Sequence, residues 1–188
     1  MLSREKALEM VREKVQEDNL VKHSLATEAV MRSLASRLEQ DVETWGLTGL
    51  LHDLDYTLTQ NDYSKHGLES AQMLQNELPS EAIRAIQAHA SELNNAPGPS
   101  TTLDHALRCA ETVTGLVMAA ALVRPEKMSG MKAKSLKKKI KDKAFAASVN
   151  RKIIGEHEKL SLDQSEFLTL SIEAMQEIAP DLGLGHSS

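Results

Sequence analysis

Apolar residues recur along this chain three and four positions apart, with no strand-like alternation. That spacing predicts helices and no strands. Ser3 to Gln16 reads as a first helix with Leu8, Val11 and Val15 on one face, broken by Asp18-Asn19. A second helix runs from about Leu20 to Glu39, with Ala26, Val30, Leu34 and Leu38 inward and His23 extending the same stripe. Asp41 or Thr44 is placed to cap a third, which runs through Trp45, Leu47, Leu50 and Leu51 to His52-Asp53. Gly46 and Gly49 each cost such a helix about 1 kcal/mol relative to Ala, so they predict close approach by another helix. After polar residues 57–63, Ser64 is positioned to cap a helix carrying Leu68, Ala71 and Leu74, with His66 in its first turn.

Pro79 and Ser80 open the next helix, whose face reads Ala82, Ile83, Ile86 and His89. Asn94 to Thr102 is the clearest loop, too short for an interdomain linker. Leu103 to about Val123 predicts a long helix with Ala106, Leu107, Ala110, Val113, Val117 and Ala121 inward. Glu111 sits at the edge of that face, one turn after Arg108. Short helices broken near Pro125 and Gly130 follow. Ser161 or Asp163 then caps a last helix bearing Phe167, Leu168, Leu170, Ile172, Met175 and Ile178. The expectation is an all-α single domain over 1–182, with 183–188 a disordered tail.

Composition narrows this only a little. A chain of 188 residues can fill one core, and an aromatic content of 3% beside abundant Leu, Ala, Glu, Lys and Met favours helix. The lone Cys109 excludes an internal disulfide and a thiolate zinc finger. The longest apolar run, Leu116 to Val123, is too short to span a bilayer, and the charged N-terminus lacks a signal-peptide core. No membrane association and a cytoplasmic location are expected. The net charge of −5 is uneven: residues 124–152 hold eleven Lys or Arg against two carboxylates, leaving −14 elsewhere. A cationic lobe of that kind can draw in an anionic substrate. The acidic total and the lack of interleaved aromatics argue against nucleic-acid binding.

The candidate chemistry centres on Gly49-Leu50-Leu51-His52-Asp53-Leu54-Asp55-Tyr56. Helical neighbours point about 100° apart, so His52 and Asp53 converge only on something lying between them, most easily at a helix end. A divalent transition metal suits imidazole and carboxylate together. His23, His66 and His89 also lie at helix ends or on apolar stripes, while His105, His157 and His186 stand in polar surroundings and read as surface residues. Any one of the four could be a core histidine with a backbone partner. Four of them with Asp53 and Glu111 make better sense as a metal site.

The ordered set His23, His52-Asp53, His66-Gly67, His89 and the acid of Cys109-Ala110-Glu111 resembles the HD-domain superfamily of metal-dependent phosphohydrolases. Leu-Leu-His-Asp-Leu-Asp-Tyr at 50–56, Thr-Gly-Leu at 114–116 and Ala-Ala-Leu-Val-Arg-Pro at 120–125 are similar to its compact single-domain members. The resemblance implies an HD-type helical bundle, with the metal-site helices in 20–123 and the basic and C-terminal helices in 124–179. It implies one or two divalent ions (Mn, Fe, Co, Ni or Zn). His23, His52, Asp53 and Glu111 would hold one, and His66 and His89 a second bridged by Asp53. A metal-activated water would then attack a small phosphorylated substrate, with nucleotides among the candidates. Asp53 and Asp55 are the catalytic candidates, Asp55 as outer partner, proton-transfer aid or simple helix cap. Lys65, Arg124, Lys134 and Arg151 are the candidate phosphate contacts, suggested by the charge asymmetry. The family's last ligand is an aspartate, and Glu111 shifts those oxygens by about one bond length in a site sensitive to a few tenths of an ångström. A non-catalytic HD domain binding a nucleotide or partner, and a dinuclear-iron HD oxygenase, are the alternatives. The apolar last helix offers a face for a homodimer.

Overall fold

The computed structural model describes residues 2–185, and among these the regular elements are helical, with no strand. Ser3 caps α1 (Arg4–Lys14), whose Ala7 and Val11 turn inward. Asp18 and Asn19 do not break the chain. They form the first turn of α2 (Asp18–Arg37), where a carboxylate suits the positive end of the helix dipole, and the break falls at 15–17.

Asp41, not Thr44, caps α3 (Val42–Leu51), taking the Thr44 N–H at 2.6 Å. Every residue of α3 from Thr44 to Leu51 is buried, because α2 lies directly against it and its other sides meet the first helix and the later helices over 80–89 and 102–122. A Cβ on Gly49 would stand 2.8 Å from Met31 Cγ and 3.0 Å from the Thr27 carbonyl oxygen, and one on Gly46 would meet Arg32 Nε at 2.6 Å. The glycines are the surface on which α2 rests, as their cost to the helix predicted.

The stretch expected as a polar turn contains α4 (Tyr56–Thr59) and a 3₁₀ turn at Tyr63–Lys65. Helix α5 (Leu68–Leu74) starts later than expected, leaving His66 outside it. Ser64 bonds to Asp62, and Gly67, at φ +79°, occupies the cap position. The reason is a remote cap: the Asp55 carboxylate takes the N–H groups of Gly67 and Ser70. Beyond α6 (Ser80–His89) and the short α7 (Ser91–Asn94), a capping box of Thr101 and Asp104 starts α8 (Thr102–Leu122). The basic segment holds α9 (Ala133–Lys141) and α10 (Arg151–Ile154). A 3₁₀ segment at Gly155–Leu160 leads to α11 (Gln164–Glu177), capped by Asp163.

One continuous core runs from Ala7 on α1 to Leu184. Phe167, Leu168, Ile172 and Met175 of α11 are buried in it, while Leu170 and Ile178 are only partly covered. Leu182 and Leu184 are buried too, and Leu184 N–H bonds the Ala179 carbonyl, so ordered packing continues past 182. His186 and the two terminal serines lie outside the described residues. His157 is not a surface residue: it donates Nδ1 to the Leu162 carbonyl and stacks on Phe167 at 5.6 Å. His105 is half-buried beside Glu156. No described helix is long and apolar enough to cross a membrane.

Candidate metal centre

At the end of α3 the chain turns, and His52 and Asp53 leave the helix together. His52 Nδ1 donates to the Gly49 carbonyl at 2.8 Å, one of the acceptors a helix end leaves free. His89, the last residue of α6, does the same with the Ile86 carbonyl at 2.6 Å. His66 Nδ1 donates to Asp55 Oδ1 at 2.9 Å. His23, on α2, donates Nδ1 to Thr114 Oγ1 at 3.1 Å, since that hydroxyl already gives its proton to the Glu111 carbonyl. These acceptors hold each ring with Nδ1 protonated, so that Nε2 is the atom left to meet a ligand.

All four Nε2 atoms face Asp53. The nearest carboxylate oxygen is 3.3 Å from His52, 3.4 Å from His66 and His89, and 3.7 Å from His23. The Nε2 atoms of His66 and His89 are 3.2 Å apart. Two three-donor groups result, His23–His52–Asp53 and Asp53–His66–His89, sharing the aspartate.

Buried lone pairs gathered around a carboxylate need positive charge among them. Burial drives the pKa of His52 down to about 3, so it is neutral at pH 7. Burial also opposes charge on Asp53, but the surrounding imidazoles outweigh it and hold the carboxyl well below the usual range. On His66 burial again opposes charge, while hydrogen bonds to Asp53 and Asp55 lift the pKa to about 10. A proton on His66 therefore supplies the cluster's positive charge when no ion is bound. It does not complete the site, because His52 Nε2 is buried with no hydrogen-bond partner. Neutral imidazoles and one shared carboxylate, with a nitrogen left over, fit a divalent transition metal.

A family model described as HD domain matches residues 20–144, the segment that carries all five converging donors. The chain belongs to the HD domain family. That family consists mostly of metal-dependent phosphohydrolases, and its members bind divalent metals. Neither the curated proteins nor the solved structures yield a match. In this HD domain α1 and α11 lie beyond the matched residues yet share its core.

The other residues singled out from the sequence are placed differently. Asp55 is completely buried, one oxygen on His66 and the other on the Gly67 and Ser70 N–H groups, so neither faces the cavity. It positions His66 and caps α5, and direct proton transfer to a substrate does not fit. Glu111 lines the cavity but belongs to neither donor group. Its longer side chain accepts the Thr112 hydroxyl at 2.5 Å, and burial raises its carboxyl above the usual range.

None of the four candidate phosphate contacts lines the cavity. Lys65 pairs with Asp62 at 3.5 Å, and Lys134 is exposed on α9. Arg124 donates to the carbonyls of Lys127 and Ser129. Arg151 donates to those of Asp142, Phe145, Ala146 and Val149. Both arginines tie irregular loops whose carbonyls no helix satisfies.

Residues that pattern reading passed over hold the centre from behind. Arg108 is buried, bonds Glu92 and Glu156 and not Glu111, and donates to the His89 carbonyl at 3.0 Å. Asn94 Nδ2 donates to the His66 carbonyl at 2.7 Å. Thr114, which orients His23, opens the Thr-Gly-Leu stretch, the one local signal for any of the three.

Proposed function

We propose that the chain is a metal-dependent phosphohydrolase acting on a small phosphoester. The observation that carries this reading is the convergence of four Nδ1-anchored imidazoles on Asp53, beside a cavity of about 480 Å³. His23, His52 and Asp53 would hold one divalent ion, and Asp53, His66 and His89 a second. Such ions supply Lewis acidity, lowering the pKa of water toward neutrality and drawing charge from a phosphoryl group. The chain's own residues do the positioning. The Gly49 and Ile86 carbonyls, Asp55 and Thr114 keep each Nε2 turned inward before any ligand arrives. Leu20, Tyr56 and Ile153 form walls that limit bulk water at the floor. Glu111, raised by burial and with one oxygen on Thr112, is suited to hold a proton for a departing oxygen on the other.

Purification without chelator should give one or two divalent ions per chain, and His52→Ala and Asp53→Ala should each deplete them. The metal-reconstituted protein should hydrolyse members of a phosphoester panel, with His52→Ala as the inactive control. Unchanged metal content in both variants would sink the reading. A second reading, an HD domain that binds its ligand without turning it over, draws on the position of Glu111 outside both donor groups. Bound metal with no hydrolysis of any ester would favour it.

A further inference from the structure

Beyond its floor of imidazoles, the cavity is walled by Leu20, Tyr56, Ala90, Leu93 and Ile153. Its polar wall groups are Asn150, Glu92 and Glu111. Among the described residues no Lys or Arg lines it, although the chain carries 22 of them. A phosphate oxygen held away from a metal is normally met by a guanidinium, an ammonium or a row of backbone N–H groups.

Arg108 bonds two residues of the lining, Glu92 and His89, but its donors are already taken. They go to both oxygens of Glu92, both oxygens of Glu156 and the carbonyls of Ala88 and His89. Glu92 is thereby matched, whereas Glu111 forms no ion pair with a Lys or Arg among the described residues. No Lys or Arg in the walls supplies a positive charge. The basic lobe expected to greet an anion is tied into loops or solvent at other places.

We infer that this cavity takes a single phosphoryl group joined to an uncharged or cationic, largely apolar remainder, and discriminates against nucleoside di- and triphosphates and other polyanions. The inference rests on the phosphohydrolase reading for the phosphoryl end alone. The phosphoryl group sits over the imidazole cluster, and the remainder lies against Leu20, Tyr56, Leu93 and Ile153. Each further phosphate would enter a wall of largely aliphatic carbon and lose hydration with no Lys or Arg to meet it. Leu93, 53% exposed, forms an apolar lip on the cavity.

The test is calorimetric binding of phenylphosphonate and of ATP to the metal-loaded full chain, without excess free metal. Phenylphosphonate should bind about tenfold or more tightly than ATP, the scale of a little over 1 kcal/mol. Leu93→Arg, at an exposed position that leaves the core intact, should tighten ATP about fivefold or more, as one added charge-assisted contact would. ATP binding as tightly as phenylphosphonate, or a Leu93→Arg variant that leaves ATP unchanged, overturns the inference. Hydrolysis is read separately. If no phosphoester is turned over while phenylphosphonate still outbinds ATP, the phosphohydrolase reading falls and the ligand preference stands.

Discussion

Asp55 makes the sharpest case at the scale of single residues, because its two oxygens perform two jobs that an amide cannot perform together. In Asp55→Asn, an amide NH2 facing Gly67 and Ser70 would meet two N–H donors, costing about 1–3 kcal/mol for the unmet groups. Turned the other way it would meet the His66 Nδ1 proton and push that ring into the opposite tautomer, placing hydrogen on the nitrogen that faces Asp53. Either outcome should weaken metal affinity about 10–100-fold, measured by titration against a competing chelator. Undiminished affinity would show that Asp55 does not hold His66 for an ion. The donors themselves are legible in the sequence, since an imidazole on an apolar stripe or at a helix end conflicts with its surroundings. Their supports are not. Thr114 meets His23 across 91 residues, and Asn94 meets the His66 carbonyl across 28, so no local pattern announces either. Glu111 is legible in the sequence as a candidate ligand at the edge of an apolar face, whereas its bond to Thr112 and its place outside both donor groups are not.

Helices meet here through glycine, and two glycines predict different behaviour. Gly67 has φ +79°, and a Cβ on it would stand 2.7 Å from the Ile86 carbonyl oxygen and 3.1 Å from His89 Cε1. It is where the start of α5 crosses the end of α6, bringing His66 and His89 together. Gly67→Ala should lose about 1–3 kcal/mol from backbone strain alone, with the steric clash in addition. Gly49→Ala also presses on backbone, at 3.0 Å from the Thr27 oxygen, but its position is helical and the substitution recovers about 1 kcal/mol of helix propensity. Urea denaturation should therefore rank Gly67→Ala as the more damaging. An equal or reversed order would mean the α5–α6 crossing can relax. The long helices are readable because several turns of periodicity accumulate in each. The start of α5 is not, since its cap comes from Asp55, twelve residues upstream of Gly67. Helices α4, α7 and α10 span four residues each, too short for a period to register.

For the whole molecule, the uneven charge is plain in the sequence, but which way it faces depends on packing, and no Lys or Arg of the basic lobe lines the cavity. The charge that matters is a proton inside. An unfolded histidine titrates near about 6.5. His52, held at about 3 in the fold, makes the unfolded chain bind more protons below that point, so its contribution to stability falls as pH drops from 6.5. His66, lifted to about 10, has the opposite sign: the folded chain binds more protons above 6.5, and that contribution is lost as pH rises through 10. From this pair, the chelator-treated protein should be most stable near about pH 6.5 and weaken on both sides. A divalent ion needs the His66 nitrogen free and must displace its proton, so affinity should climb with pH over the same alkaline range. With a saturating ion the alkaline loss should disappear, because ligand binding adds stability as affinity grows. Urea midpoints at about pH 5, 6.5 and 8.5, with chelator and with metal, separate the two cases. If the chelator-treated midpoint rose steadily from 6.5 to 8.5, a proton on His66 could not be what balances Asp53 in the ion-free chain.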